Sequence, residues 1–592
     1  MIMLDQSKNC TSVEKYYTGE KNIRMLVSLL KDHGIRRIVA SPGTTNISFV
    51  WSVQYDPFFQ VFSAYDERSA AYMAVGMAEE SGEPVVLTCT GATASRNYVP
   101  GLTEAFYRKV PVLAVTATQN IGRIGHMIPQ VLDRRQQMND LVKLSVLCQA
   151  VHTEEDEKLC CLTLNKALLE LRKDGGGPVH INLETCYSND FSVKTLEKFP
   201  IVRRHTLADS LPRIHAASVG VFVGTHSKFS PELTDAVDRF CERYNGAVIV
   251  DHTSGYRGRF HVMGNLVAAQ SKSHKELTNP DLLIHIGNIS GAYMNISSDK
   301  VWRVNPDGAL SSPIGRLTDI FEMDELSFFS QYVGDFQLST GSSAYFQKWK
   351  IELDVCRKAL SSLDLPFSNA WVARELSKRL PKESVLHLGI LNSLRSWNFY
   401  DVDESIAGYS NTGGFGIDGC VSTMIGASLA SPGKLFFGVF GDLAFFYDLN
   451  SLGNRQIGGN LRILLVNNGV GTEFKNYNHH AAQFHEQADF FIAARGHNGN
   501  KSRNLVRHYA EDLGFSYLKA EDKKEFSSNF EAFLDPNVNG PSVVFEVFTD
   551  SVDESDALKM INSIENDAVS GMKSIAKSIL GDKGVAFVKR IL

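Results

Sequence analysis

The sequence predicts an α/β protein of three doubly wound domains with mainly parallel sheets, over about residues 1–195, 205–345 and 366–592. Two observations predict it. Short apolar runs, each bounded by Gly, Asn or another turn former, alternate with helix-length stretches, which is the pattern of βα units in a parallel sheet. The chain, at 592 residues, is also too long for one hydrophobic core.

In the first region, the runs at 36–40, 84–90 and 111–118 read as strands. The first two lead into Ser41-Pro42-Gly43-Thr44-Thr45-Asn46 and Gly91-Ala92-Thr93-Ala94, turns of small residues. Between them Asp66-Glu67-Arg68 opens a small-residue helix over 69–80, where a first-turn carboxylate ordinarily serves the helix dipole. The second region has runs at 219–223, 247–250, 282–286 and 301–304, another Rossmann-like layer. None carries GxGxxG, so this region reads as a structural middle domain. Residues 337–346 read as a linker.

The third region begins with a helix and a strand over 384–390, then the glycine-rich stretch Asn411-Thr412-Gly413-Gly414-Phe415-Gly416-Ile417-Asp418-Gly419. Two more strands follow at 435–440 and 461–466. Beyond about 551 the chain turns polar and then basic and amphipathic, in MKSIAKSILGDKGVAFVKRIL, which predicts a tail docked on its own subunit or on a neighbour.

Composition excludes several classes. With 43% hydrophobic and 21% charged residues, the chain resembles ordinary soluble globular proteins. A net charge of −6 lacks a nucleic-acid binder's basic footprint. No apolar run approaches the roughly 18 residues of a membrane span, and the opening MIMLDQSKNC lacks a charged-then-apolar signal. Nine cysteines are scattered without CxxC or metal-ligand spacing, which suits a reducing cytoplasm.

The stretch 435–474 carries the chemistry. Asp442 follows its first strand and Asn467-Asn468 its second, so in a parallel sheet all three emerge at the carboxyl edge, where open α/β sheets bind ligands. One carboxylate, one amide oxygen and a backbone carbonyl in the 469–471 turn are hard ligands too few to enclose a cation. That suits Mg²⁺, which completes its octahedron with water and phosphate oxygens.

Gly441-Asp442 with Asn467-Asn468 at this spacing resembles the cofactor motif of thiamine diphosphate (ThDP) enzymes, whose usual third residue, Gly, is Leu443 here. The wording GDLAFFYDLNSL and FGIDGCVSTMIGAS is similar to one branch of that superfamily, the SEPHCHC synthases of the menaquinone pathway. AYDERSAAYMAVGMAEESGEPVVLTCTGATASRNYVPGLTEAF resembles the superfamily's pyrimidine-binding domain. The resemblance is dense over 38–118 and 384–475 and thin between.

The resemblance implies a pyrimidine-binding domain at 1–195, a central domain at 205–345 and a diphosphate-binding domain at 366–592. It makes Glu67 the carboxyl group that activates the cofactor through N1′ of the aminopyrimidine, a role that burial would favour by raising its pKa. It assigns Mg²⁺ to Asp442, Asn468 and the carbonyl of Val470, and makes Ile417 the wedge that bends the cofactor. Thr93, Gly416, Gly441 and Leu443 join the cofactor contacts. The family builds its site from two subunits, which implies a homodimer or homotetramer. Its central domain sometimes holds FAD, for which this sequence offers no support.

The activity so implied is decarboxylation of a 2-oxo acid with transfer of an acyl anion equivalent to an acceptor. The rivals are SEPHCHC synthesis proper, acetolactate-type ligation, simple decarboxylation and, from another class, a ThDP-fold binding protein without turnover. The branch grips two polycarboxylates, isochorismate and 2-oxoglutarate, with arginines. Several of those arginine positions are changed here, Thr44-Thr45-Asn46 and Thr412 among them. The substrate candidates are Thr44, Arg96, Gln130, Ser393 and Arg395, with Glu473 as the acid/base candidate where the branch has an apolar residue.

Overall fold

A computed structural model describes residues 16–270, 274–292, 294–311, 314–337, 343–499 and 501–564. The chain divides into two compact units, Met1–Arg204 and His205–Leu592.

The first unit is built on β1 (Arg37–Ala40), β2 (Gln60–Ser63), β3 (Val85–Thr90), β4 (Val112–Thr118), β5 (Leu144–Cys148) and β6 (Val179–Glu184). They pair in parallel in the order β2-β1-β3-β4-β6-β5. Successive strand residues point to opposite faces, and both faces are covered. Ile38, Val86, Leu113, Val115 and Ile181 join one buried cluster with Leu26, Leu29 and Leu164. Val39, Val85, Leu87, Val112 and Ala114 join a second with Ala70, Ala74 and Leu102.

The helix predicted over 69–80 spans Glu67–Ser81. Asp66 caps it by accepting from the backbone N–H of Arg68, and Gly82, at φ 66°, ends it in the left-handed conformation that glycine tolerates. Its alanines admit close packing: a Cβ on Gly101 would stand 2.5 Å from the Ala71 Cβ.

The remaining strands form two sheets. One contains β7 (Arg203–Thr206), β8 (Val219–Val223), β9 (Gly246–Val250), β10 (His261–Met263), β11 (Leu282–Ile286), β12 (Val301–Val304) and β13 (Leu317–Glu322), in the order β10-β9-β8-β11-β12-β13-β7. The other contains β14 (Val385–Leu388), β15 (Ala407–Tyr409), β16 (Phe436–Gly441), β17 (Leu461–Asn467), β18 (Ser516–Ala520) and β19 (Val543–Phe548), parallel in the order β15-β14-β16-β17-β19-β18. On one face of the latter sheet Phe436, Leu461, Ile463 and Leu465 pack with Val421 and Met424.

Two expectations change. The linker expected at 337–346 contains the start of a helix, Ala344–Ser362, capped by Ser343. Tyr345, Phe346, Trp349, Leu353, Cys356 and Leu360 recur at helical spacing and are buried, so the aromatic residues are the first turn of an amphipathic helix. The polar stretch after 551 is likewise a packed helix, Ser551–Asn562, which buries Glu554, Ala557, Leu558 and Ile561. The basic tail at 572–592 lies outside the described residues.

Candidate active site

The parallel register of β16 and β17 pairs Gly441 with Val466, so both strands end at one edge. Asp442 begins the helix Asp442–Tyr447 immediately after β16. Its Oδ2 accepts from the backbone N–H of Gly469 at 2.6 Å and of Asn468 at 3.3 Å, and its Oδ1 from that of Leu443 at 2.7 Å. A carboxylate 26 residues away in sequence thus organises the turn after β17. Burial pushes its carboxyl up to about 6, against the opposing effect of these N–H donors.

The two asparagines divide their work. Asn467 Nδ2 donates to Glu546 Oε1 at 2.6 Å, and Tyr517 donates to Glu546 Oε2 at 2.7 Å, so Asn467 belongs to a structural network. Asn468 stays half-buried, its Oδ1 at 3.4 Å from the Val470 N–H. Gly469 takes φ 68°, a conformation that favours glycine, and the next turn is pinned by Gly471 N–H donating to Ala493 O at 2.6 Å. The carboxylate of Asp442, the amide oxygen of Asn468 and the carbonyl of Val470 make a set of hard oxygen donors. A Cβ added to Gly441 or Gly469 would meet nothing within 4 Å, so a ligand can approach this backbone closely.

Gly416 and Ile417 are half-buried in the irregular loop before the helix Cys420–Ala430, and Leu443 is half-buried beside Asp442. Thr412, buried, shares a hydrogen bond with Thr225 at 2.9 Å, so its hydroxyl is already engaged.

At the end of β14, Leu391 has φ 67°, a strained angle for a bulky residue. The next turn, Asn392–Trp397, carries Ser393 and Arg395. Ser393 is buried and accepts from Asn369 Nδ2 at 3.2 Å. Arg395 donates to Asn392 Oδ1 at 2.9 Å and pairs with Glu473, which also accepts from Asn476 Nδ2 at 3.2 Å. The sequence offered Glu473 as an acid/base and Arg395 as a substrate contact; the fold places them against each other. Asn476 was not anticipated, because nothing in a solvated-looking loop marks its amide as a bridge to Asn392 Oδ1, at 2.8 Å.

In the first unit, the candidates again follow strand ends. Glu67 is the half-buried first residue of its helix, and Asn97 Nδ2 donates to its Oε2 at 3.2 Å. Thr93 opens the short helix Thr93–Asn97 after β3. Thr44 is exposed after β1, while its neighbour Thr45 is buried and accepts from the Gly91 N–H at 3.2 Å. Arg96 is exposed and donates to Asp133 O at 3.0 Å. Gln130 is exposed with φ 65°.

A family model described as "Thiamine pyrophosphate enzyme, N-terminal TPP binding domain" matches residues 22–138. Relatives with the name 2-succinyl-5-enolpyruvyl-6-hydroxy-3-cyclohexene-1-carboxylate (SEPHCHC) synthase include the following three. The protein of Bacteroides fragilis is 32% identical over 564 residues, covering 92% of this chain and 98% of its own. That of Phocaeicola vulgatus is 31% identical over 566 residues, with 92% and 98% covered. That of Flavobacterium johnsoniae is 28% identical over 557 residues, with 90% and 97% covered.

Proposed function

We propose, for a chain that belongs to the family of thiamine diphosphate-dependent enzymes containing the SEPHCHC synthases, that it decarboxylates a 2-oxo acid and transfers the remaining acyl unit to an acceptor. The observation that carries the reading is the reach of Asp442 across to the Asn468 and Gly469 backbone, which presents three oxygen donors beside backbone that a diphosphate can approach.

Those residues fit a Mg²⁺-diphosphate group: Asp442, Asn468 and the Val470 carbonyl would hold the metal. Bound thiamine diphosphate supplies the electron sink that decarboxylation requires. The chain's own part is to bind, orient and move protons. Glu67 would share a proton with the aminopyrimidine N1′, Ile417 would wedge the rings, and Gly416, Gly441, Leu443 and Thr93 would contact the cofactor. Three domains with boundaries near 195–205 and 345–366, a homodimer or homotetramer and a cytoplasmic setting complete the reading. No helix among the described residues is long and apolar enough to cross a membrane.

Thr44, Arg96, Gln130, Ser393 and Arg395 are the substrate candidates, and Glu473 is the acid/base candidate. The Arg395–Glu473 pair leaves that arginine already neutralised, which supports an acceptor other than a polycarboxylate. The second reading, SEPHCHC synthesis itself, is favoured by relatives of that name covered over 98% of their length. Product analysis separates the two: CO₂ release and ligated product are measured with pyruvate or 2-oxoglutarate, with an aldehyde, a ketone or isochorismate as acceptor. Ligation of isochorismate selects the second reading, and no CO₂ from any 2-oxo acid defeats both.

A further inference from the structure

The first unit buries a cation that the proposed reaction does not use. Arg134 is 2% exposed. Its Nη2 donates to Asn182 Oδ1 at 2.7 Å and lies 3.5 Å from Ala117 O, while Nε and Nη1 are shielded from solvent and have no hydrogen-bond partner among the described residues. Arg134 lines a cavity of about 20 Å³, together with the polar Thr116, His180 and Gln137 and the apolar Leu102, Leu141 and Val142.

Among the described residues that line the cavity, none supplies the missing charge. No carboxylate lines the cavity. The nearest acid in sequence, Asp133, gives both carboxylate oxygens to Arg135. Arg96, also on the cavity wall, adds positive charge. Burial pushes the Cys89 thiol up to about 12, so it stays neutral, and pushes His180 down to about 3, so its imidazole is neutral as well. Arg134 itself, lowered to about 10 by burial, remains a cation at neutral pH. The His180 ring is held between Thr116 Oγ1 at 2.7 Å and Ser145 Oγ at 2.8 Å, which leaves it no carboxylate to share.

We infer that this cavity is a binding site for one monatomic anion, a halide such as chloride, held by the free Nε and Nη1 hydrogens of Arg134. A volume of about 20 Å³ has room for one such ion or one water. Water would satisfy the two N–H groups but leave the charge uncompensated in a low-dielectric interior. A halide accepts N–H donors from one side and tolerates an apolar wall on the other. The ion also has structural reach: a Cβ on Gly91 would stand 2.6 Å from Nη2 and 2.9 Å from Nη1 of Arg134, so the guanidinium packs closely against the backbone that leads into Ala92 and Thr93. An occupied site fixes the floor of that turn.

Two measurements on the unmodified full-length chain test this. Crystals grown in sodium bromide should show an anomalous difference peak within hydrogen-bond reach of Arg134 Nε and Nη1. The thermal unfolding midpoint should rise saturably when chloride or bromide replaces gluconate at constant ionic strength. In Arg134→Met the halide dependence should vanish, although the bromide peak in the parent decides the matter if that variant fails to fold. A water in the cavity with bromide only at the surface, or identical midpoints in chloride and gluconate, overturns the site.

Discussion

Arg395 and Glu473 meet fork to fork, with Arg395 Nη1 2.8 Å from Glu473 Oε2 and Nη2 2.9 Å from Oε1. They belong to turns that follow different strands, β14 and β17, and their side chains are only 25% and 19% exposed. Two parallel charge-assisted bonds in partial shelter are stronger than an ordinary surface pair. A double-mutant cycle with Arg395→Ala and Glu473→Ala should return a coupling of about 1–2 kcal/mol, read from urea unfolding midpoints. Simple additivity would mean that the fork contributes nothing to stability.

Glu67 offers a cleaner separation of chemistry from folding. Gln in its place keeps a carbonyl oxygen to accept from Asn97 Nδ2 but removes the acid. Turnover in Glu67→Gln should fall by roughly 10²–10⁴-fold, as expected for losing a proton-transfer group, while the thermal midpoint stays near that of the parent. Parent-like CO₂ release from Glu67→Gln would remove Glu67 from the mechanism.

The contrast between these two sites shows what the sequence could reveal. The strands 219–223 and 282–286 were legible to the residue because each is an uninterrupted apolar run buried on both faces. The position of Asp442 and Asn468 at strand ends was legible because they directly follow such runs. The edge strand Gln60–Ser63, mostly exposed, has no such pattern and was missed. The Arg395–Glu473 fork was illegible for a different reason: its partners are 78 residues apart, and only the sheet order brings β14 and β17 to either side of β16. Arg134 was hidden likewise, since in Asp133-Arg134-Arg135 nothing distinguishes the buried arginine from the exposed one.

Asp442 is a test of backbone organisation as much as of metal binding. An amide at this position can accept through one oxygen only, so Asp442→Asn would set an N–H against backbone N–H donors that now bond to the carboxylate. The variant should lose about 1–3 kcal/mol of stability in the absence of any cofactor, and its Mg²⁺-dependent affinity for thiamine diphosphate should fall at least tenfold by calorimetry, roughly the effect of 1.4 kcal/mol. Unchanged affinity would move the metal elsewhere.

His387 makes the last prediction, on acid stability. Its ring is buried on β14, stacks on Tyr409 with centroids 5.4 Å apart, and leaves Nε2 without a partner. Burial lowers its pKa from 6.5 to about 4. The folded value lies below the unfolded one, so as the pH falls the unfolded chain takes up the proton first. Stability is therefore intact above about 6.5 and declines from there to about 4, by roughly 1.4 kcal/mol per pH unit for this group. His180 and His261, both lowered to about 3 by burial, act in the same direction. His387→Phe keeps an aromatic face for Tyr409 and removes the titration. Urea unfolding at pH 6.5 and pH 4 should show the variant losing roughly 3 kcal/mol less on acidification than the parent. Equal losses in the two proteins would mean that His387 takes up its proton without unfolding.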